Sequence, residues 1–170
     1  MFSARRIMST KGLHTMLEAL KLIKSTKPIV ICGDIDHAKT YVNGLKQKYQ
    51  NLQMKFVGFV ELPALMGLLK KAELFIFPSE TEGMSIMLLE VTAVGTPIIS
   101  SDIPENTQVF TNDEMLFFKS KDPKDLKNKI EFSYANIKKM NEFSDRAVSR
   151  IRTDYKWSSI AKEYITIYKN

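Results

Sequence analysis

The chain has 170 residues, 44% of them hydrophobic and 26% charged, with a formal net charge of +6 at pH 7 and a pI of about 9.3. That length holds one domain with a single well-buried core, and no apolar run approaches the roughly 18 residues that suggest a membrane span. The basic charge suits nucleic acid, an anionic membrane face or a phosphorylated small molecule. Without an RNA-stacking motif, zinc-ligand spacing or a basic recognition helix, nucleic acid is set aside, and peripheral contact with anionic lipid stays open.

In chain order, Met1-Phe2-Ser3-Ala4-Arg5-Arg6-Ile7 has neither an extended apolar core nor a small-residue cleavage site. No secretory signal is expected, and the location that follows is cytoplasmic, including the inner face of the membrane. Phe2 to Ile7 reads as a first strand, and Leu13, Met16, Leu17, Leu20 and Ile23 then keep the spacing of a helix with one buried stripe. Ile29 to Gly33 is a second strand, in which the single cysteine, Cys32, reads as a small buried side chain without a disulfide partner. His14 and His37 lack acidic or cysteine partners at metal-ligand spacing and read as helix-surface or loop residues, so no metal site is indicated.

Lys55 to Phe59 is a third strand, Leu62, Leu65, Met66 and Leu69 mark a helix, and Leu74 to Phe77, Pro97 to Ser100 and Met115 to Phe118 are three further strands. Leu126, Ile130, Tyr134 and Ile137 mark a helix entered through Asp122-Pro123, where aspartate caps and proline suits the first turn. Ile137 to Tyr155 reads as helix broken by polar turns. Trp157, Ile160, Ala161, Tyr164, Ile165 and Tyr168 then form one aromatic and apolar stripe expected to be buried. Short apolar strands alternating with helices predict an α/β fold built on a parallel sheet. The expected organisation is a single unit, with a core over residues 1–154 and a closing helix over 155–170.

In such a sheet ligands bind where strands end and helices begin, because the first N–H groups of a helix are unpaired and carry partial positive charge. The richest junction is Pro78-Ser79-Glu80-Thr81-Glu82-Gly83-Met84-Ser85, leading to Glu90. Gly83 permits close approach of a ligand backbone, and the N–H groups of Met84 and Ser85 are expected to open a helix toward an anion such as a diphosphate. On a continuous helix Glu82 and Glu90 would stand about 12 Å apart along the axis and about 80° apart around it, a reach suited to two ends of one extended ligand. As a bare spacing, the pair reads first as a solvated charged helix face, which produces that interval often by chance.

Pro78-Ser79, Glu82-Gly83, Glu90 and Gly95-Thr96-Pro97-Ile98-Ile99 together resemble the donor-binding signature of retaining GT-B glycosyltransferases, the glycogen-synthase-like and lipopolysaccharide mannosyltransferase-like group. Further landmarks are similar in order: Arg6 and Lys11-Gly12 after the first strand, Ile31-Cys32-Gly33-Asp34 at the second, Phe56-Val57-Gly58-Phe59-Val60 at the third, and the aromatic closing helix centred on Trp157. The resemblance implies a Rossmann-like, doubly wound parallel sheet of about six strands, one half of a GT-B fold. It implies that the chain binds a nucleotide-sugar, a UDP-sugar or a GDP-sugar, without a metal ion. The acceptor domain would be a separate N-terminal domain absent from the chain.

By the same resemblance Arg6 and Lys11 would neutralise the donor diphosphate, with Arg5 replacing Arg6 if the strand phase shifts by one. Glu82 would contact the transferred sugar and Glu90 the ribose. Gly83, Met84 and Ser85 would offer amides to the phosphates, Gly33 would lie at a strand-end turn, and Val60 would place backbone groups near the base. Two departures from the family pattern stand out: Ser101-Asp102-Ile103-Pro104-Glu105-Asn106 lacks the usual paired glycines, and Met84-Ser85 replaces the commoner Phe-Gly. The alternatives that stay open are a nucleotide-sugar epimerase or hydrolase of the same fold and a non-catalytic regulatory binding subunit. A receiver-type signalling module is disfavoured, since no acceptor aspartate ends the strand at Phe59.

Overall fold

The computed structural model describes residues 1–155, 161 and 164–168. Six strands alternate with helices: β1 (Phe2–Arg6), α1 (Leu13–Leu22), β2 (Ile29–Asp34), α2 (Lys39–Lys48), β3 (Met54–Gly58), α3 (Leu62–Lys70), β4 (Phe75–Phe77), α4 (Ile86–Val94), β5 (Ile98–Ser101), the single turn α5 (Pro104–Thr107), β6 (Leu116–Phe118), α6 (Pro123–Ala135) and α7 (Ile137–Asp154). All strand pairings are parallel, in two three-stranded sheets ordered β1-β2-β3 and β4-β5-β6. Met1 joins them: its carbonyl accepts from Ile76 N at 3.0 Å, and its nitrogen donates to Leu74 O at 2.6 Å. The strands therefore run β3-β2-β1-β4-β5-β6, and the order reverses between β1 and β4, where such sheets open a crevice at their carboxyl ends.

The strands are short and apolar on both sides because each faces two cores. Phe2, Ile29, Ile31, Leu74, Ile76, Ile99 and Phe118 pack against α1, α2 and α6 on one face. Their neighbours Val30, Cys32, Phe75, Phe77, Ile98 and Phe117 pack against α3, α4 and α7 on the other. This is the period-two alternation of a strand, with both phases apolar, as a doubly covered parallel sheet requires. The α/β, doubly wound expectation holds, as do all six strand positions to within a residue or two.

Three expectations are corrected, and one helix is added. The segment from Ile137 is not broken: α7 is a continuous 18-residue helix whose Met140, Phe143, Ser144 and Ala147 are buried, and polar residues cover its outer faces. The stripe assigned to α6 stops earlier, since the helix ends at Ala135 and Ile137, starting α7, is exposed. A helix the apolar spacing does not announce, α2, buries only Val42 and Leu45 among lysines and polar residues. In the closing segment Trp157 and Ile160 lie outside the described residues, and Ala161, Tyr164, Ile165 and Tyr168 are exposed rather than buried. The entry to α6 follows expectation: the Asp122 carboxylate accepts from Lys124 N and Asp125 N, and these amides hold its carboxyl below the usual value.

Candidate functional site

At the carboxyl ends of β1 and β4 the chain turns sharply on both sides of the crevice. After β1, a tight turn over Ser9–Lys11 leads to Gly12, whose φ of +67° is left-handed and which starts α1. A Cβ on Gly12 would lie 1.9 Å from the carbonyl oxygen of Pro78, so only glycine lets this turn press against the loop that follows β4. Glu80 N closes the contact by donating to Thr10 O at 2.8 Å. Lys11 is thereby carried across 71 positions of sequence to Glu82, and its ammonium donates to both carboxylate oxygens at 2.9 and 2.8 Å. Ser79 Oγ donates to the same carboxylate at 2.6 Å.

Glu82 sits in this loop, not on a helix. The helix that follows, α4, begins at Ile86 with Ser85 as its N-cap, and Glu90 lies in its middle. The separation calculated for two residues of one continuous helix therefore does not apply. The helix opens two residues later than expected, so Met84 and Ser85 precede it. Among the described residues no backbone carbonyl accepts from the N–H groups of Gly83, Met84 or Ser85. The Ser85 hydroxyl is buried and donates to Asn106 Oδ1 at 2.7 Å.

The crevice is a cavity of about 540 Å³, and its lining includes Arg5, Arg6, Lys11, Gly33, Val60, Glu82, Met84, Ser85 and Glu90. Of the residues singled out in sequence, Gly83 is the exception, and a Cβ there would meet no protein atom within 4 Å. Both arginines reach the cavity although they are adjacent in β1, because the β1–β2 register shifts between Ser3 and Arg6 and breaks the alternation of sides. Gly33 is fixed by packing: at φ +146°, a Cβ would stand 2.3 Å from Ala4 O. Three cations, Arg5, Arg6 and Lys11, face three carboxylates, Glu61, Glu82 and Glu90, around the lining. Met8, Phe59, Leu62, Met84 and Ile86 add an apolar rim of exposed side chains.

Glu90 is half-buried, and desolvation raises its carboxyl above the ordinary value. A carboxyl whose folded value exceeds its unfolded one binds its proton more tightly in the native state, so its contribution to stability is greatest in acid and falls as pH rises through that interval. Glu90→Gln is therefore expected to melt higher than the parent at pH 7, with the difference closing toward acid pH in parallel thermal scans.

Four residues take part in contacts that the sequence does not announce. Ser79 was quoted in the signature, yet its bond to the Glu82 carboxylate was not foreseen. Asn106 and Ser101 lie in the segment marked as departing from the family, and neither lines the cavity. His14 is not a bare surface residue: its Nε2 lies 3.2 Å from Glu80 Oε1, and its Nδ1 lies 3.0 Å from the Tyr41 hydroxyl. Burial pushes that phenol up to about 12. The acid that pairs with His14 is 66 positions away, beyond the reach of any local spacing rule.

The family model for glycosyl transferases group 1 matches residues 1–150. The chain is 26% identical over 175 residues to the O-antigen biosynthesis glycosyltransferase WclY of Escherichia coli, covering 99% of this chain and 46% of WclY. It is 34% identical over 107 residues to the O-antigen chain mannosyltransferase RfbU of Salmonella typhimurium, covering 60% of this chain and 29% of RfbU. It thus spans less than half the length of these relatives. Among solved structures, Anabaena HepE in complex with UDP and glucose superposes with a TM-score of 0.87 at 18% identity, over 99% of this chain and 47% of HepE. The C-terminal domain of the group 1 protein LpcC from Francisella tularensis superposes with a TM-score of 0.81 at 17% identity, over 92% of this chain and 85% of that one. The fold they share with this chain is half of the GT-B architecture. With the model matched across both sides of the crevice and the fold of GT-B enzymes around it, the chain belongs to the glycosyl transferases group 1 family.

Proposed function

We propose that the chain is the nucleotide-sugar-binding C-terminal domain of a retaining glycosyltransferase, with the acceptor site on a second, N-terminal domain outside these 170 residues. The observation that carries this reading is the convergence, on one cavity, of Arg5, Arg6 and Lys11 with Glu82 and Glu90 and an apolar rim. A nucleoside diphosphate sugar needs those three surroundings: cations for the diphosphate, carboxylates for sugar and ribose hydroxyls, and an apolar face for the base.

In this reading Arg6 and Lys11, with Arg5 beside them, neutralise the diphosphate as it leaves, which stabilises the charge developing in the transition state. The amides of Gly83, Met84 and Ser85 add donors to the phosphate oxygens. Glu82 accepts from the hydroxyls of the transferred sugar, Glu90 from the ribose, and the backbone at Val60 lies along the base. Gly33, with no side chain, lets β2 pack closely against Ala4 of β1 beneath the cavity. In the free protein Lys11 and Glu82 neutralise each other, so the donor exchanges one ion pair for two contacts: diphosphate on Lys11 and sugar on Glu82. A UDP-sugar is the proposed donor, supported by the UDP and glucose bound to the similarly folded HepE. Transfer goes to a glycan, a lipid-linked glycan or a lipid.

Calorimetric titration of the chain with UDP, UDP-glucose and GDP tests the donor assignment. The expected result is saturable binding of UDP and UDP-glucose, with Glu90→Ala weakening both by about tenfold through loss of a charge-assisted hydrogen bond. Absence of saturable heat with every nucleotide, or Glu90→Ala binding that equals the parent, would overturn it.

A further inference from the structure

Behind the crevice four buried polar side chains form one continuous chain of hydrogen bonds. Ser85 Oγ donates to Asn106 Oδ1 at 2.7 Å. Asn106 Nδ2 donates to both Ser101 O and Ser101 Oγ at 3.1 Å. Ser101 Oγ donates to Ser79 O at 2.5 Å, and Ser79 Oγ donates to Glu82 Oε1 at 2.6 Å. Asn106 and Ser101 are fully buried, and Ser79 and Ser85 are 1% and 3% exposed. Their surroundings are apolar, with Phe77, Leu88 and Phe110 in the same core face. Polar groups in such a place are tolerated when every one is bonded, and a fully bonded network fixes one arrangement of the segments it joins.

The segment joined here is the loop from Ser79 to Ser85, held at Ser85 by the Asn106 amide and at the Ser79 carbonyl by the Ser101 hydroxyl to which that amide donates. Asn106 is itself held in place: its N–H donates to Ile103 O, its carbonyl accepts from Val109 and Phe110, and its side-chain nitrogen donates to Ser101 O and Ser101 Oγ. The two departures from the family pattern, Ser85 and the segment Ser101 to Asn106, are the two sides of this one contact.

We propose that Asn106 is a positioning residue for donor binding. Through Ser85 it sets the start of α4 and the amides of Gly83 to Ser85; through Ser101 and Ser79 it sets the Glu82 carboxylate. It does so without touching the donor. The inference rests on the donor-site reading above and adds to it a residue outside the cavity.

The test compares Asn106→Ala and Ser101→Ala with Ile130→Val, a core variant at a fully buried position of α6 on the opposite face of the sheet. Asn106→Ala is expected to bind UDP-glucose at least tenfold more weakly than the parent. Ile130→Val, even with a comparable fall in melting temperature, is expected to bind it as the parent does. Ser101→Ala cuts only the Glu82 arm, so it is expected to lose affinity for UDP-glucose while holding UDP within twofold, and it serves also if Asn106→Ala fails to fold. Equal affinities in Asn106→Ala and Ile130→Val, or an unchanged UDP-glucose affinity in Ser101→Ala, would overturn the proposal.

If the parent binds no nucleotide, the donor-site reading fails by itself, and positioning is read from amide exchange in the free proteins. Leu88 and Leu89 both donate to Ser85 O, and their amides are expected to exchange at least tenfold faster in Asn106→Ala than in Ile130→Val. Equal exchange in the two variants refutes the positioning role independently of any ligand.

Discussion

Lys11→Ala is expected to weaken UDP binding by about 10- to 100-fold, the cost of removing one charge-assisted donor from a partly enclosed anion site. The side chain of Lys11 is 25% exposed, and its ammonium donates two short bonds to Glu82. The substitution has a second effect that must be separated from the first. It strips Glu82, whose side chain is 12% exposed, of its counter-charge, so the variant is expected to lose stability even without nucleotide. Lys11→Ala combined with Glu82→Gln removes the unpaired carboxylate, since replacing both partners of a buried pair costs less than removing one. The double variant is therefore expected to regain melting temperature without regaining UDP affinity. Recovery of both would mean that Lys11 serves the fold and not the ligand.

Gly12→Ala is expected to have the largest effect on stability. Its backbone is left-handed at φ +67°, and the added methyl would sit 1.9 Å from Pro78 O and 2.8 Å from Pro78 C. An alanine in that conformation costs about 1–2 kcal/mol, and relieving the overlap requires backbone movement worth about another 1–3 kcal/mol. The combined loss corresponds to a fall in melting temperature of roughly 5–15 °C for a domain of this size. The displaced segment is the one that carries Ser79 and Glu82, so nucleotide affinity is expected to fall with stability. A melting temperature within about 2 °C of the parent would show that the two turns can separate at little cost.

The strands were legible because both of their faces are apolar, which leaves short runs rich in β-branched and aromatic residues between turn signals. α1 and α3 were legible for the opposite reason: each buries one stripe and exposes the rest. α2 escaped because two buried residues, Val42 and Leu45, are too few to mark a period. α7 was read as interrupted because most of its surface is polar, although its buried residues recur at helical spacing from Met140 to Ala147. At the site, Lys11, Glu82 and Glu90 could be named from motif order, and the cavity brings them together. Their mutual geometry could not be, since it depends on where α4 begins and on a glycine packed against a proline 66 positions away. Asn106 was beyond reach for a related reason: a polar residue in a loop reads as solvated until the neighbouring chain is seen to bury it.

The even ratio of cations to carboxylates around the crevice bears on how a ligand is captured. The chain as a whole carries +6, yet Arg5, Arg6 and Lys11 are matched one for one by Glu61, Glu82 and Glu90 at the cavity. Seen from beyond a Debye length, about 8 Å at physiological ionic strength, the mouth of the cavity is close to electroneutral. Its surplus positive charge lies elsewhere on the surface and supplies little focused field to draw in a polyanion. Encounter at this mouth is then governed mainly by diffusion, and discrimination begins only when a ligand is near enough to replace one member of an existing ion pair. On the proposed donor reading, such a site resists indiscriminate occupancy by inorganic phosphate and other small anions, because an anion that draws Lys11 away without offering hydroxyls to Glu82 leaves that carboxylate without its counter-charge.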